Sequence, residues 1–144
     1  MEKYKKAQRL DIALQNFRKS GVYKRNSNTL TDADLAVLFT IKFAEDNIKI
    51  KLTDIANKLE LTLPAVTHKV NDLEERGLLV KKVSTNDRRV VNLELTTDAK
   101  KELDSIVDSY YNPLFILMDR LGKEDSKTLL KILDKVNAQG KIIK

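Results

Sequence analysis

Cysteine and tryptophan are absent from this 144-residue chain, histidine occurs once, proline twice and glycine four times. Without a thiol there can be no disulfide framework, thiolate zinc site, iron–sulfur cluster, cysteine nucleophile or sulfhydryl redox switch. The one histidine, His68, is too little for a His-rich metal cage or a His-centred triad. No Gly-rich phosphate loop and no motif of paired carboxylates offers a seat for catalysis. The expectation is a chain with no catalytic residues, no metal and no cofactor. No apolar run approaches 18 residues, and the N-terminal Met1-Glu2-Lys3-Tyr4-Lys5-Lys6 leads into polar amphipathic sequence, not the apolar core of a signal peptide. A cytoplasmic protein with no membrane partner is expected.

What remains is 42% hydrophobic and 33% charged, with the charges mixed along the chain. That composition supports a core and argues against disorder, and the length suits one compact domain, with or without an extended appendage. Lys and Arg number 27 against 21 Asp and Glu, a formal charge of +6. The surplus favours a polyanionic partner, but it is spread thinly: 10 basic against 6 acidic over 1–50, 8 against 7 over 51–95, and 9 against 8 over 96–144. A nucleic-acid partner would therefore require folding to gather the cations on one face.

Helical periodicity dominates the order of elements. Leu10, Ala13, Leu14 and Phe17 form the stripe of an amphipathic helix over Lys3 to Lys19, stopped at Gly21. A loop carrying Asn26-Ser27-Asn28 leads to Thr31, which with Asp34 makes a capping-box start for a second helix reaching about Glu45 and marked by Leu35, Leu38, Phe39 and Phe43. After a turn at Asp46-Asn47, Ile48-Lys49-Ile50 alternates like a short strand. A third helix over Leu52 to Leu59 buries Leu52, Ile55, Ala56 and Leu59. A fourth starts at Thr62 as N-cap with Pro64 in the first turn, buries Val66, Val70 and Leu73, and ends before Gly77.

Two helices across a three-residue turn make a helix-turn-helix over 52–76. Leu78 to Val83 and Arg89 to Leu95 then read as strands around the polar tip Ser84-Thr85-Asn86-Asp87-Arg88, so a wing spans 78–95. Helix returns at a Thr96 or Thr97 cap, with Leu103, Ile106, Val107, Tyr110, Leu114, Leu117, Met118 and Leu121 as its apolar positions. Pro113 should bend it and Gly122 should end it. A last helix opens at Glu124-Asp125 with the stripe Leu129, Leu130, Ile132, Leu133 and Val136. The fold class is mostly α with a small β-hairpin wing (α+β), a winged helix-turn-helix with N- and C-terminal dimerisation helices. Residues 1–30 form the first of these with its loop, 31–95 the winged lobe and 96–144 the last helices, in one structural domain per chain.

A module of about 45 residues does not need long amphipathic helices at both chain ends for its own core. Their broad apolar faces imply a second copy of the chain. A twofold dimer would set two helix-turn-helix units about one helical turn (~34 Å) apart along DNA, to read a pseudo-palindrome.

The run Leu52-Thr53-Asp54-Ile55-Ala56-Asn57-Lys58-Leu59-Glu60-Leu61, then Val66-Thr67, Leu73-Glu74-Glu75-Arg76-Gly77-Leu78-Leu79, Asp87-Arg88-Arg89 and Leu95-Thr96, resembles the MarR family of multiple-antibiotic-resistance regulators. The resemblance covers essentially the whole chain. It implies a homodimeric transcriptional regulator, usually a repressor that leaves double-stranded DNA when a small aromatic or anionic effector binds. The helix from Thr62 would then enter the major groove, with Thr62, Pro64, Ala65, Thr67, His68, Lys69 and Asn71 as its exposed candidates. Threonine and alanine methyls can touch a thymine methyl, His68 and Asn71 can hydrogen-bond base edges, and Lys69 can contact phosphate. In similar proteins the aspartate of Asp-Arg-Arg braces the hairpin by pairing with an arginine while an arginine enters the minor groove. Asp87 takes the bracing role here, and Arg88 and Arg89 share the DNA role. The family's effector pocket lies between the dimerisation helices and the DNA-binding lobe, where Phe39, Phe43 and Tyr110 could line it.

The chain also departs from the family pattern. The usual Ser-x-Ser-Thr-Val-Thr-Arg is Thr62-Leu63-Pro64-Ala65-Val66-Thr67-His68 here, which removes two hydroxyls and a guanidinium, so base readout should differ from that of relatives. Lys51 stands where many relatives carry a capping threonine. Plainer readings exist beside these: His68 as a solvated surface residue, Arg88-Arg89 as a soluble turn, the aromatics as core, and Lys3, Lys5, Lys6 and Arg9 as a solvated helix face. A winged-helix protein–protein interaction module without its own operator is the competing function, though it has no need of a cationic wing.

Overall fold

The computed structural model describes the backbone of residues 1–22, 29–44 and 48–143, and side chains through 138. Five helical elements and three short strands follow in the order α1 (Glu2–Lys19), α2 (Asp32–Lys42), β1 (Ile50–Lys51), α3 (Leu52–Leu59), α4 (Leu63–Glu75), β2 (Leu79–Val83), β3 (Val91–Leu95) and α5 (Thr97–Ile143). The expected loop residues Asn26-Ser27-Asn28, the turn Asp46-Asn47, Glu45 and Tyr23 lie outside the described residues.

The chain divides into two compact units, one of residues 1–26 with 108–144 and one of residues 27–107. These boundaries differ from a division at 30/31 and 95/96, because the first turns of α5 pack with the winged lobe. Ala99 and Leu103 are buried there, and Asp104 pairs with Lys42 at the end of α2.

In the 27–107 unit, Thr31 and Asp34 form the expected capping box: the Thr31 hydroxyl accepts from the Asp34 N–H and the Asp34 carboxylate accepts from the Thr31 N–H. Leu35, Val37, Leu38 and Phe39 of α2 are buried with Ile55 of α3, Val66, Val70 and Leu73 of α4, and Leu79 and Leu93 of the sheet. Helix α2 stops at Lys42, with Phe43 as its C-cap and exposed. Lys51 caps α3 without its side chain; its N–H donates to the Asp54 carboxylate, half of a capping box. Between α3 and α4 the chain turns at Glu60 in the left-handed region (φ 56), a conformation that costs a non-glycine residue on the order of 1 kcal/mol.

The sheet is antiparallel in the order β1-β3-β2, with Ile50 opposite Leu93 and Lys51 opposite Asn92 on one side, and Leu79 opposite Leu95 and Val83 opposite Val91 on the other. Strand β3 starts at Val91, two residues later than the alternation suggests. The Asp87 turn takes up both intervening donors: the Arg89 N–H goes to the Asp87 carboxylate and the Val90 N–H to the Asp87 carbonyl.

Helix α5 is capped by Thr96, whose hydroxyl accepts from the Ala99 N–H and donates to the Gly77 carbonyl. The element runs on through Pro113, and its non-helical backbone falls at Gly122 (φ 83, ψ 169), where a stop is expected from the sequence. In the unit of 1–26 with 108–144, the Ser126 hydroxyl donates to the Met118 carbonyl on the far side of that break. No residue of α1 is buried within the chain: Leu10, Leu14 and Phe17 are all exposed, as are Phe115, Leu130, Leu133 and Val136 of α5.

Candidate nucleic-acid interface

Helix α4 is built to present one face. The Thr62 hydroxyl accepts from the Ala65 N–H at 3.2 Å, Pro64 sits in the first turn where a missing N–H costs nothing, and Val66, Val70 and Leu73 are fully buried beneath. The opposite face carries Pro64, His68, Asn71 and Glu75, all exposed, with Ala65 and Thr67 flanking them. The hydrogen-bonding groups on this helix are unequally available. The Thr67 hydroxyl donates back to the Leu63 carbonyl at 2.9 Å, and the Asn71 side-chain oxygen accepts from the Lys81 ammonium. His68 has no side-chain hydrogen bond or ion pair among the described residues.

Lys69 is turned inward. Its ammonium donates to the Asp34 carboxylate at 2.9 Å, and the Arg76 guanidinium reaches the other oxygen of the same carboxylate at 3.1 Å while also pairing with Asp72 at 2.9 Å. The position suggested as a phosphate contact is therefore half-buried and joined to α2. Asp34 is only 1% exposed. Burial alone would raise its carboxyl, but the hydrogen bonds from Lys69, the Thr31 N–H and Arg76, with the Lys69 charge, outweigh it and hold the pKa down to about 2. The sequence marked Asp34 only as a capping partner.

The wing places its charges as two strands and a braced tip. Asp87 holds Arg89 through three hydrogen bonds, from the backbone N–H at 3.0 Å and from the guanidinium Nε at 3.2 Å and Nη2 at 3.5 Å, which keeps the Asp87 carboxyl below the ordinary carboxylate range. Arg88 is exposed and has no ion pair or side-chain hydrogen bond among the described residues. Lys82 pairs with Glu94 across the strands, and Glu74 of α4 accepts from the Lys81 N–H, which ties the wing to the helix.

The three aromatic candidates do not share a unit. Phe39, buried, stacks on the exposed Phe43 with ring centres 5.4 Å apart in the 27–107 unit. Tyr110 is buried in the other unit and meets Tyr111 edge to face at 4.8 Å. Among the described residues no group of three or more His, Asp or Glu could hold a metal ion, and no helix is long and apolar enough to cross a membrane. Two exposed apolar residues at the tip of the helix-turn-helix, Leu61 and Leu63, each 46% exposed, were not among the sequence candidates.

The model of the MarR family matches residues 30–91. The transcriptional repressor YetL of Bacillus subtilis is 22% identical over 104 residues, 72% of this chain, and the match spans only 62% of YetL. The transcriptional regulator FarR of Neisseria gonorrhoeae is 29% identical over 120 residues, covering 78% of this chain and 80% of FarR. Among solved structures, MepR of S. aureus in complex with DNA superposes with a TM-score of 0.69 at 20% identity, over 89% of this chain and 96% of MepR. That likeness is one of fold: mostly helical, with a small three-stranded antiparallel sheet.

Proposed function

We propose that the chain is a member of the MarR family, whose model matches residues 30–91, and that it is a sequence-specific DNA-binding transcriptional regulator, a homodimeric repressor released from a pseudo-palindromic operator by a small organic ligand. The observation that carries this reading is the pairing of two features in one unit: α4, with its capped start and an outer face presenting Pro64, His68 and Asn71, and a wing whose Arg88 is free at the tip. In this reading α4 lies in the major groove, with Thr62, Pro64, Ala65, Thr67, His68 and Asn71 near base edges, while Arg88 enters the minor groove and Arg89 stays with Asp87 near the backbone. Lys69 acts through Asp34 and adds little to the phosphate charge count.

The dimer is supported by the uncovered stripes of α1 and α5. Leu10, Leu14, Phe17, Leu130, Leu133 and Val136 are all exposed in the single chain, and burying apolar surface stabilises by about 25 cal/mol per Å². An aromatic or anionic effector would act by binding more tightly to a dimer whose two α4 helices are wrongly spaced for DNA. The test is a fluorescence-anisotropy titration against the DNA upstream of the protein's own gene and a scrambled duplex of equal length, at two salt concentrations. Preference for the upstream duplex, with a log–log salt slope of roughly −0.9 per phosphate contacted, is expected. Equal affinity for both duplexes would remove the operator, and no binding at low salt would remove DNA as the partner.

A further inference from the structure

Several hydrogen-bonding groups in the leading turn of α4 are engaged within the chain. Of the N–H groups that open the helix, that of Ala65 is taken by the Thr62 hydroxyl and that of Val66 by the Thr62 carbonyl, and Pro64 has none. The Thr67 hydroxyl proton is given to the Leu63 carbonyl. This turn and the residue before its cap expose hydrocarbon: Leu61 and Leu63, with Pro64 and Ala65 beside them. A surface of that kind, on a lobe whose wing tip carries a free arginine, matches one feature of the major groove. Only thymine presents a methyl group there, and apolar contact with it distinguishes A·T from the other pairs without a hydrogen bond.

We propose that Leu63, supported by Pro64 and Ala65, is a specificity-determining residue that reads thymine C5 methyl groups, while His68 and the Asn71 amide N–H groups remain as hydrogen-bonding readers of this helix. The inference rests on the DNA-binding reading above and deepens it: the preferred sites should carry thymine opposite the tip of α4 in each half-site. Leu61 and Leu63 are the exposed apolar pair that this contact would cover.

The experiment uses the full chain and duplexes that it selects itself from a pool of random sequences. The selected duplex is then made with deoxyuridine in place of thymidine, which removes the C5 methyl and keeps both the base pairing and the O4 acceptor. The wild-type protein should bind the deoxyuridine duplex at least fivefold more weakly, and Leu63→Ala and Leu63→Gln should distinguish the two duplexes by less than twofold. Because Leu63 is exposed, both variants should melt within a few degrees of the parent; Gln keeps the side-chain length and helix propensity should Ala disturb the turn. Equal wild-type affinity for both duplexes, with the selected duplex still preferred over a scrambled one, overturns the inference and leaves DNA reading intact. The same loss in wild type and variants overturns it too, since the methyl would then act through DNA shape. Failure to select any duplex refutes sequence-specific binding itself.

Discussion

Replacing Asp34 by Asn tests whether a buried carboxylate holds the two long helices of the winged lobe in place. Asn is nearly the same shape and keeps one oxygen for the Thr31 N–H, but it removes the charge facing Lys69 and Arg76. It thus mimics the protonated aspartate. The folded-state pKa of about 2 against an ordinary 3.8, at about 1.4 kcal/mol for each pH unit, makes the ionised form worth roughly 2 kcal/mol of stability. Lys69 and Arg76 keep partial access to water, which holds the cost near the low end of that for a broken buried pair. With an unfolding entropy of about 2.1 cal/mol/K per residue, a loss of this size should lower Tm by about 7 °C. The sign with pH follows from a folded pKa below the unfolded one. Asp34 contributes fully above pH 3.8 and progressively less as pH falls through 2. Urea denaturation of the wild-type and Asp34→Asn proteins at pH 7, 5, 3 and 2 should therefore show a constant gap at the first two values and a closing one below. A gap under about 0.5 kcal/mol at pH 7, or one that stays open at pH 2, would refute the ion-pair account and leave only a cap.

Three further outcomes follow from the same structure. Arg88→Ala should weaken binding to all duplexes by about tenfold and take roughly one phosphate contact from the salt slope, measured by anisotropy, whereas Arg89→Ala should cost less because Asp87 already neutralises it. Phe17→Glu and Leu133→Glu, each changing an exposed apolar residue, should shift sedimentation from dimer to monomer with little change in helical circular dichroism; an unchanged dimer would place the interface elsewhere. Leu73→Ala, at a site with no solvent exposure, should cost about 3 kcal/mol in chemical denaturation.

Most of the elements could be read along the chain because their causes are local. The Thr31/Asp34 capping box, the Thr62 cap with Pro64 in the first turn, the stop at Gly77 and the break at Gly122 are interactions or backbone states within a few residues. The stripe Val66, Val70, Leu73 named the buried face of α4 through helical period alone. The brace of Asp87 on Arg89 is just as local, two positions apart, though its partner and the two-residue delay of β3 emerged only with the turn's hydrogen bonds in place.

The sequence alone thus established the order of helices and strands, their inner faces and the apolar stripes left over at both ends, because caps, periodicity and glycine stops act over one or two turns of chain. The placement of charges depended on folding. Asp34 meets Lys69 and Arg76 across 35 and 42 positions, and no periodicity joins residues so far apart. That meeting turned an expected phosphate contact inward and made a capping carboxylate a buried one. Likewise, the exposure of Leu61 and Leu63, each 46%, was not legible from the chain, because an apolar residue beside a turn can face either way until the lobe has packed.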